Sequence, residues 1–177
     1  MKKSFIPLIA IATIYAVPAS ATTIIDLPPN MVNGNCVFNT NCGPTIKGAG
    51  TSTFAAQLFT LTALTSITNG TFTVYSNPNA QPSALNWMFL AADGAGSLPG
   101  TLLASGTSSI TTRTNIGAQF GYELIRTGFD LSGVNLGAGN YYFGLQAVSN
   151  AFPIYLAYAN GTGAAQTNNG GASWSAN

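Results

Sequence analysis

Histidine is absent from this 177-residue chain. That absence removes the Ser-His-Asp triad, the Cys-His dyad and every His-ligated metal. Charge is scarce as well, with 5 Lys and Arg against 4 Asp and Glu. Two of the cations, Lys2 and Lys3, lie in a segment expected to be removed. Lys47, Arg113 and Arg126 are then left against Asp26, Asp93, Glu123 and Asp130. Three scattered cations build no basic patch, so no nucleic-acid partner is expected. Four carboxylates give few ways to set two across one glycosidic bond. Glu123 sits on the strand face opposite Tyr122 and is expected to meet solvent or Arg126. Gly94-Ala95-Gly96 lacks the following Lys and helix of a phosphate loop. No enzymatic activity and no cofactor are expected.

Cysteine is nearly missing, with only Cys36 and Cys42, in NGNCVFNTNCGP. Without His or further Cys to complete a tetrahedron, a metal site is a poor second reading, and a redox role is weaker still because the spacing is not Cys-x-x-Cys. A disulfide is the expectation, because the loop between them is short and rich in Asn and Gly. It also fits the compartment that the N-terminus implies. Lys2-Lys3, the apolar run Phe5 to Val17 and Ala19-Ser20-Ala21 form the three regions of a secretory signal, cut after Ala21. The run is short for a membrane span and holds Pro7, with Pro18 directly after it. A secreted protein is expected, with residues 1–21 as signal peptide, residues 22–177 as one domain and no transmembrane helix in the mature chain.

What is present is apolar and small. Hydrophobic residues make up 46% of the chain and charged ones 5%. That is the composition of a domain that buries a core and solvates itself with hydroxyls and amides, not of a disordered chain. The most informative stretch is Ser83 to Ile110. The apolar run Leu85 to Ala92, the turn cluster Asp93 to Gly100 and the apolar Thr101 to Ala104 read as strand, loop and strand. Trp87 and Phe89 point one way and Met88 and Leu90 the other, so this strand is expected either to be covered on both faces or to set one face in a concave groove.

Elsewhere, Thr density favours a strand over a helix for Phe54 to Leu61. Asn69-Gly70 signals a hairpin turn between Leu64 to Thr68 and Thr71 to Tyr75. Ile116 to Ile125 alternates with period two and reads as one strand. The Ser and Thr tract before it, the connection Phe129 to Gly139 and the tail Thr162 to Asn177 read as loops. Tyr141 to Val148 and Ile154 to Tyr158 complete seven or eight strands. The fold class expected is all-β, an antiparallel β-sandwich of jelly-roll type.

Two site chemistries can be placed on these elements. Aromatic faces with nearby amides can form a sugar platform. Trp87, Tyr141 and Phe143 are assigned to the core, and Tyr142, Tyr155 and Trp174 to the exposed, ligand-binding set. Asp93 could contribute to a Ca²⁺ site, but one carboxylate is few, and a turn residue bonding the backbone is the favoured reading.

Three blocks resemble secreted bacterial proteins of the PEP-CTERM, exosortase-sorted type. They are Asn86-Trp87 with Asp93-Gly94-Ala95-Gly96, Leu98-Pro99-Gly100 and Leu103-Ala104-Ser105-Gly106; then Leu131-Ser132-Gly133-Val134 with Leu136-Gly137-Ala138-Gly139 and Tyr141-Tyr142; and Gly170-Gly171 with Ser173-Trp174. The resemblance implies an exported β-sandwich associated with exopolysaccharide-producing bacteria. The chain ends at Asn177 without the Pro-Glu-Pro tag, so a missing last strand or anchor is expected. The functional expectation is a non-enzymatic envelope or extracellular-matrix protein with extracellular polysaccharide as partner. The alternative is a carbohydrate-binding module using the exposed aromatics.

Overall fold

A computed structural model describes residues 53–76, 81–119, 121–148, 155–157, 164–167 and 169–176. The signal segment 1–21, Asp26, Cys36, Cys42 and Lys47 lie outside the described residues, so the disulfide and the cleavage site do too.

The described chain is all-β. In order the strands are β1 (Phe54–Leu61), β2 (Thr65–Ser76), β3 (Ala84–Ala91), β4 (Leu102–Gln119), β5 (Tyr122–Leu136), β6 (Gly139–Val148), β7 (Tyr155–Ala157), β8 (Ala164–Thr167) and β9 (Ser175–Ala176). Among the described residues the only helical piece is a 3₁₀ turn, Ala95–Ser97. The strands form one open antiparallel sheet in the order β7-β2-β5-β4-β3-β6-β1-β8-β9. β4 is the joint. Its first half, Leu102–Ser109, pairs with β3, and its second half, from Ile110 on, pairs with β5.

Alternation along β3 and β6 decides where the core sits. Trp87 and Phe89 of β3 and Phe143, Leu145 and Ala147 of β6 join Phe72 and Val74 of β2 and Ile125 and Phe129 of β5 in one buried cluster. Phe129 lies parallel to Phe143, with centroids 5.9 Å apart, so residues of β5 and β6 meet although two strands, β4 and β3, lie between them in the sheet. The other face of β3 and β6 is covered too. Met88, Leu90 and Tyr142 pack with Phe54, Ala56 and Ala165, and Leu98 and Trp174 close over them. The expectation of a strand buried on both faces holds for β3.

Several expectations are corrected. Asn69 and Gly70 are not a hairpin turn but lie inside β2, opposite Asp130 and Phe129. Glycine is needed there for room, since a Cβ on Gly70 would stand 2.5 Å from the Phe129 ring. The Ser and Thr tract is not a loop but the middle of β4, because hydroxyl residues suit a strand exposed along most of its length. The alternating stretch Ile116 to Ile125 is two strands, not one. Gly121, at φ 80°, turns the chain between Gln119 and its partner Tyr122. Phe129 to Leu136 belongs to β5, and the tail carries β8 and β9, which extend the sheet beyond β1.

Candidate functional site

Backbone pairing between β4 and β5 begins at Ile110↔Phe129 and runs to the hairpin at Gln119↔Tyr122. In the other direction the two strands part. Leu102–Ser109 keeps β3 on one side, Asp130–Leu136 keeps β2 on one side, and neither has a strand partner on its other edge among the described residues. Local irregularities open this wedge. Register slips in β4 between Ile110 and Thr112, and Leu103 is an extra residue opposite β3. In β5, Leu131, Ser132 and Gly133 face the single Thr68 of β2, with Gly133 at φ 81°. Bulges of this kind bend a strand and re-aim its side chains.

The wedge is a cleft made of two adjoining hollows of about 420 and 590 Å³, which share Trp87, Ser105 and Ser132. Hydroxyls line the first, from Ser105, Thr107, Ser108, Ser109, Thr111 and Ser132. The second runs past Leu103, Val134, Asn135 and Leu136. Asp130 is the one charged residue lining either hollow. At the apex the Trp87 indole Nε1–H donates to Ser108 Oγ at 3.0 Å, and the Ser108 hydroxyl donates to the Asp130 carbonyl at 2.5 Å. A side-chain relay thus stands where the backbone ladder gives out. Gly106 lets the indole lie against β4, because a Cβ there would be 2.6 Å from Trp87 Cζ2. Trp87 itself is only 4% exposed, so it offers an edge and not a stacking face.

Chemically this cleft is a surface of hydrogen-bonding side chains. Its hydroxyls and amides donate and accept alike. Across the described residues no group of three His, Cys, Asp or Glu comes together.

The site residues expected from sequence are elsewhere and dispersed. Tyr142 was expected to be exposed but is 3% exposed, beneath the β3–β4 turn, with its hydroxyl donating to the Ser97 carbonyl at 3.1 Å. The reason is its register: it pairs with Leu58 and Leu90 on the covered outer face of β6. Burial pushes its phenol pKa up. Tyr155 opens β7 at the far edge of the sheet. Trp174 is half-buried over Met88 and Gly144, and its Nε1–H is buried without a partner among the described residues. It lines a third hollow, of about 250 Å³, with Thr167, Asn169 and Ser173, where Asn169 Oδ1 accepts from Thr167 Oγ1 at 2.6 Å and from Ser173 N at 3.0 Å.

Asp93 closes the β3–β4 turn. Its Oδ1 accepts from the Thr101 amide and its Oδ2 from the Thr101 hydroxyl, both at 2.7 Å. Those bonds, the hydroxyl's first, lower its pKa. Asp93 thus ties its turn to a residue eight positions on.

Compared with known proteins, the chain matches no family model, no curated protein and no solved structure. Among the described residues no helix is long and apolar enough to cross a membrane.

Proposed function

We propose that this chain is an exported, non-catalytic protein of the cell envelope or extracellular matrix, held by exopolysaccharide through a neutral polar surface. The observation that carries this reading is β4. Ser105, Thr107, Ser109, Thr111, Thr112 and Thr114 are all exposed along one strand, and Arg113 is the only charge between Leu102 and Gln119. Arg113 is itself engaged, donating to the Pro82 carbonyl at 2.5 Å. Such a row makes many weak hydrogen bonds to hydroxylated polymer with little electrostatic steering. The fold reading that goes with it is a jelly-roll-like sandwich, the sheet doubled over along β4. The stacking of Phe129 on Phe143 and the shared core of β2, β5, β3 and β6 support it.

The test is extraction of producing cells or biofilm across a range of NaCl. Retention should be nearly independent of salt, because screening acts on charges. Release that climbs steeply with salt would refute this reading in favour of a charged partner. Turnover of a glycan or ester by the purified protein, lost in Asp93→Asn or Glu123→Gln, would refute the non-catalytic part.

A further inference from the structure

We infer that the cleft between β4 and β5 is the polymer-binding site, and that it takes an unbranched, uncharged glycan chain laid along β4. This rests on the exopolysaccharide reading and gives it a place. Three features of the cleft select the ligand. First, its length: the lining of β4 from Leu103 to Ser109 extends about 20 Å at strand rise, room for an oligosaccharide instead of a single sugar. Second, its polarity alternates in kind. The exposed hydroxyl residues Ser105, Thr107 and Ser132 share the cleft with Leu103, which is 43% exposed, and this mixture suits a sugar ring with equatorial hydroxyls and C–H faces. Third, Asp130 is the only charge there, so an anionic polymer gains no cation and a cationic one gains a single partner.

An extended peptide is the obvious competitor for two unpaired strand edges. The geometry disfavours it. Adding a strand needs an unbroken alternation of N–H and C=O groups, and both edges are interrupted. Leu103 bulges from β4, Gly133 at φ 81° breaks β5, and the Ser108 hydroxyl already occupies the Asp130 carbonyl at the apex. A glycan has no repeat to keep in register with a backbone and can use the side-chain hydroxyls instead.

The experiment uses the full exported protein with cellohexaose and maltohexaose as probes, followed by calorimetry and by NMR shifts. The variants plug the cleft from its rim. Ser105→Trp and Ser132→Trp place a large ring at exposed positions that line both hollows, outside the core. Ser175→Trp does the same at the separate hollow beside Trp174. Thermal melting of each variant establishes that it folds. The expected result is binding of at least one hexasaccharide, with Kd between about 10 μM and 1 mM, weakened about tenfold or more by either cleft plug. Ser175→Trp and added NaCl should leave it within about twofold.

Binding that survives both cleft plugs, or is lost in Ser175→Trp, would overturn the assignment of the cleft while leaving exopolysaccharide retention standing. No binding of either hexasaccharide by the wild-type protein would overturn it too, and the biofilm extraction then decides separately whether retention falls. Capture of a Ser- and Thr-rich octapeptide in place of the sugars, blocked by the same plugs, would overturn the glycan and assign the cleft to strand addition.

Discussion

Replacing Gly70 with Ala isolates what this glycine does. If it were a turn residue at positive φ, alanine would be strained by the backbone. In β2 it is instead a buried strand residue roofed by Phe129, whose Cζ would lie 2.5 Å and Cε1 3.0 Å from the new methyl carbon. That ring has nowhere to retreat. Phe72 meets it at 60° with centroids 5.9 Å apart, and Phe143 stacks on it at 5.9 Å. Overpacking of a rigid core costs about 1–3 kcal/mol. Removing a strand glycine returns about 0.5–1 kcal/mol of backbone entropy. The net loss should be about 1–2 kcal/mol, or roughly 2–8 °C in melting temperature for a domain of this size.

Urea unfolding measures it, with the slope unchanged and the midpoint lowered. The decisive step is the double mutant. Phe129→Leu alone should destabilise by leaving a void. With Gly70→Ala beside it, the methyl occupies part of that void, so the two losses should fall short of additivity by about 1 kcal/mol. Strictly additive losses, or a Gly70→Ala protein as stable as wild type, would refute the roofing argument.

Thr127 is fully buried between core residues Ile125 and Phe129, and its hydroxyl has no partner among the described residues. Thr127→Val should therefore stabilise by about 1 kcal/mol in the same urea assay, against the usual trend for core substitutions. Tyr142→Phe frees the Ser97 carbonyl and should cost about 1 kcal/mol. Because the Tyr142 pKa is raised on folding, the wild-type protein keeps its full stability below the unfolded phenol value near ~10 and loses some as pH rises beyond it, a loss that Tyr142→Phe should reduce. Asp93 is the opposite case, with its pKa lowered by Thr101. Its contribution is complete above the unfolded value near ~4 and fades as pH falls through the folded one, so acid melting curves of wild type and Asp93→Asn should converge.

The fold was legible where burial wrote a period into the sequence. β3 and β6 alternate along their full lengths, both their faces are covered, and their inward and outward sets can be read directly from Trp87 to Leu90 and from Tyr141 to Ala147. It was illegible where one residue type serves two physical needs. Glycine answers both to positive φ, as at Gly121, and to close approach, as at Gly70, and only the partner strand tells them apart. Ser and Thr are as common in loops as on an exposed strand, so the middle of β4 read as a loop. Tyr142 carries no local mark of burial, because the residues that cover it, Leu98 and Phe54, are remote in sequence. The cleft could not be read at all. It is the parting of two strands, caused by bulges that exist only relative to neighbours, although Gly106 and Trp87 stood in the stretch the sequence singled out.

The place of β1 in the sheet has a kinetic consequence. It is the first described strand, yet its partners are β6 and β8, with Ala55 opposite Leu145 and Phe54 opposite Thr167. β3, β4 and β5 can zip up as neighbours soon after they leave the ribosome. At about 5–20 residues per second, β1 then waits on the order of 10 s for even its first partner, β6, to be made. Through that interval Phe54-Ala55-Ala56 and Leu58-Phe59 are an unpaired apolar strand, the kind of segment that chaperones hold and that aggregates seed from. Among the described strands the one made first thus waits longest for a partner, and whatever accompanies its synthesis must shield that segment until β6 arrives.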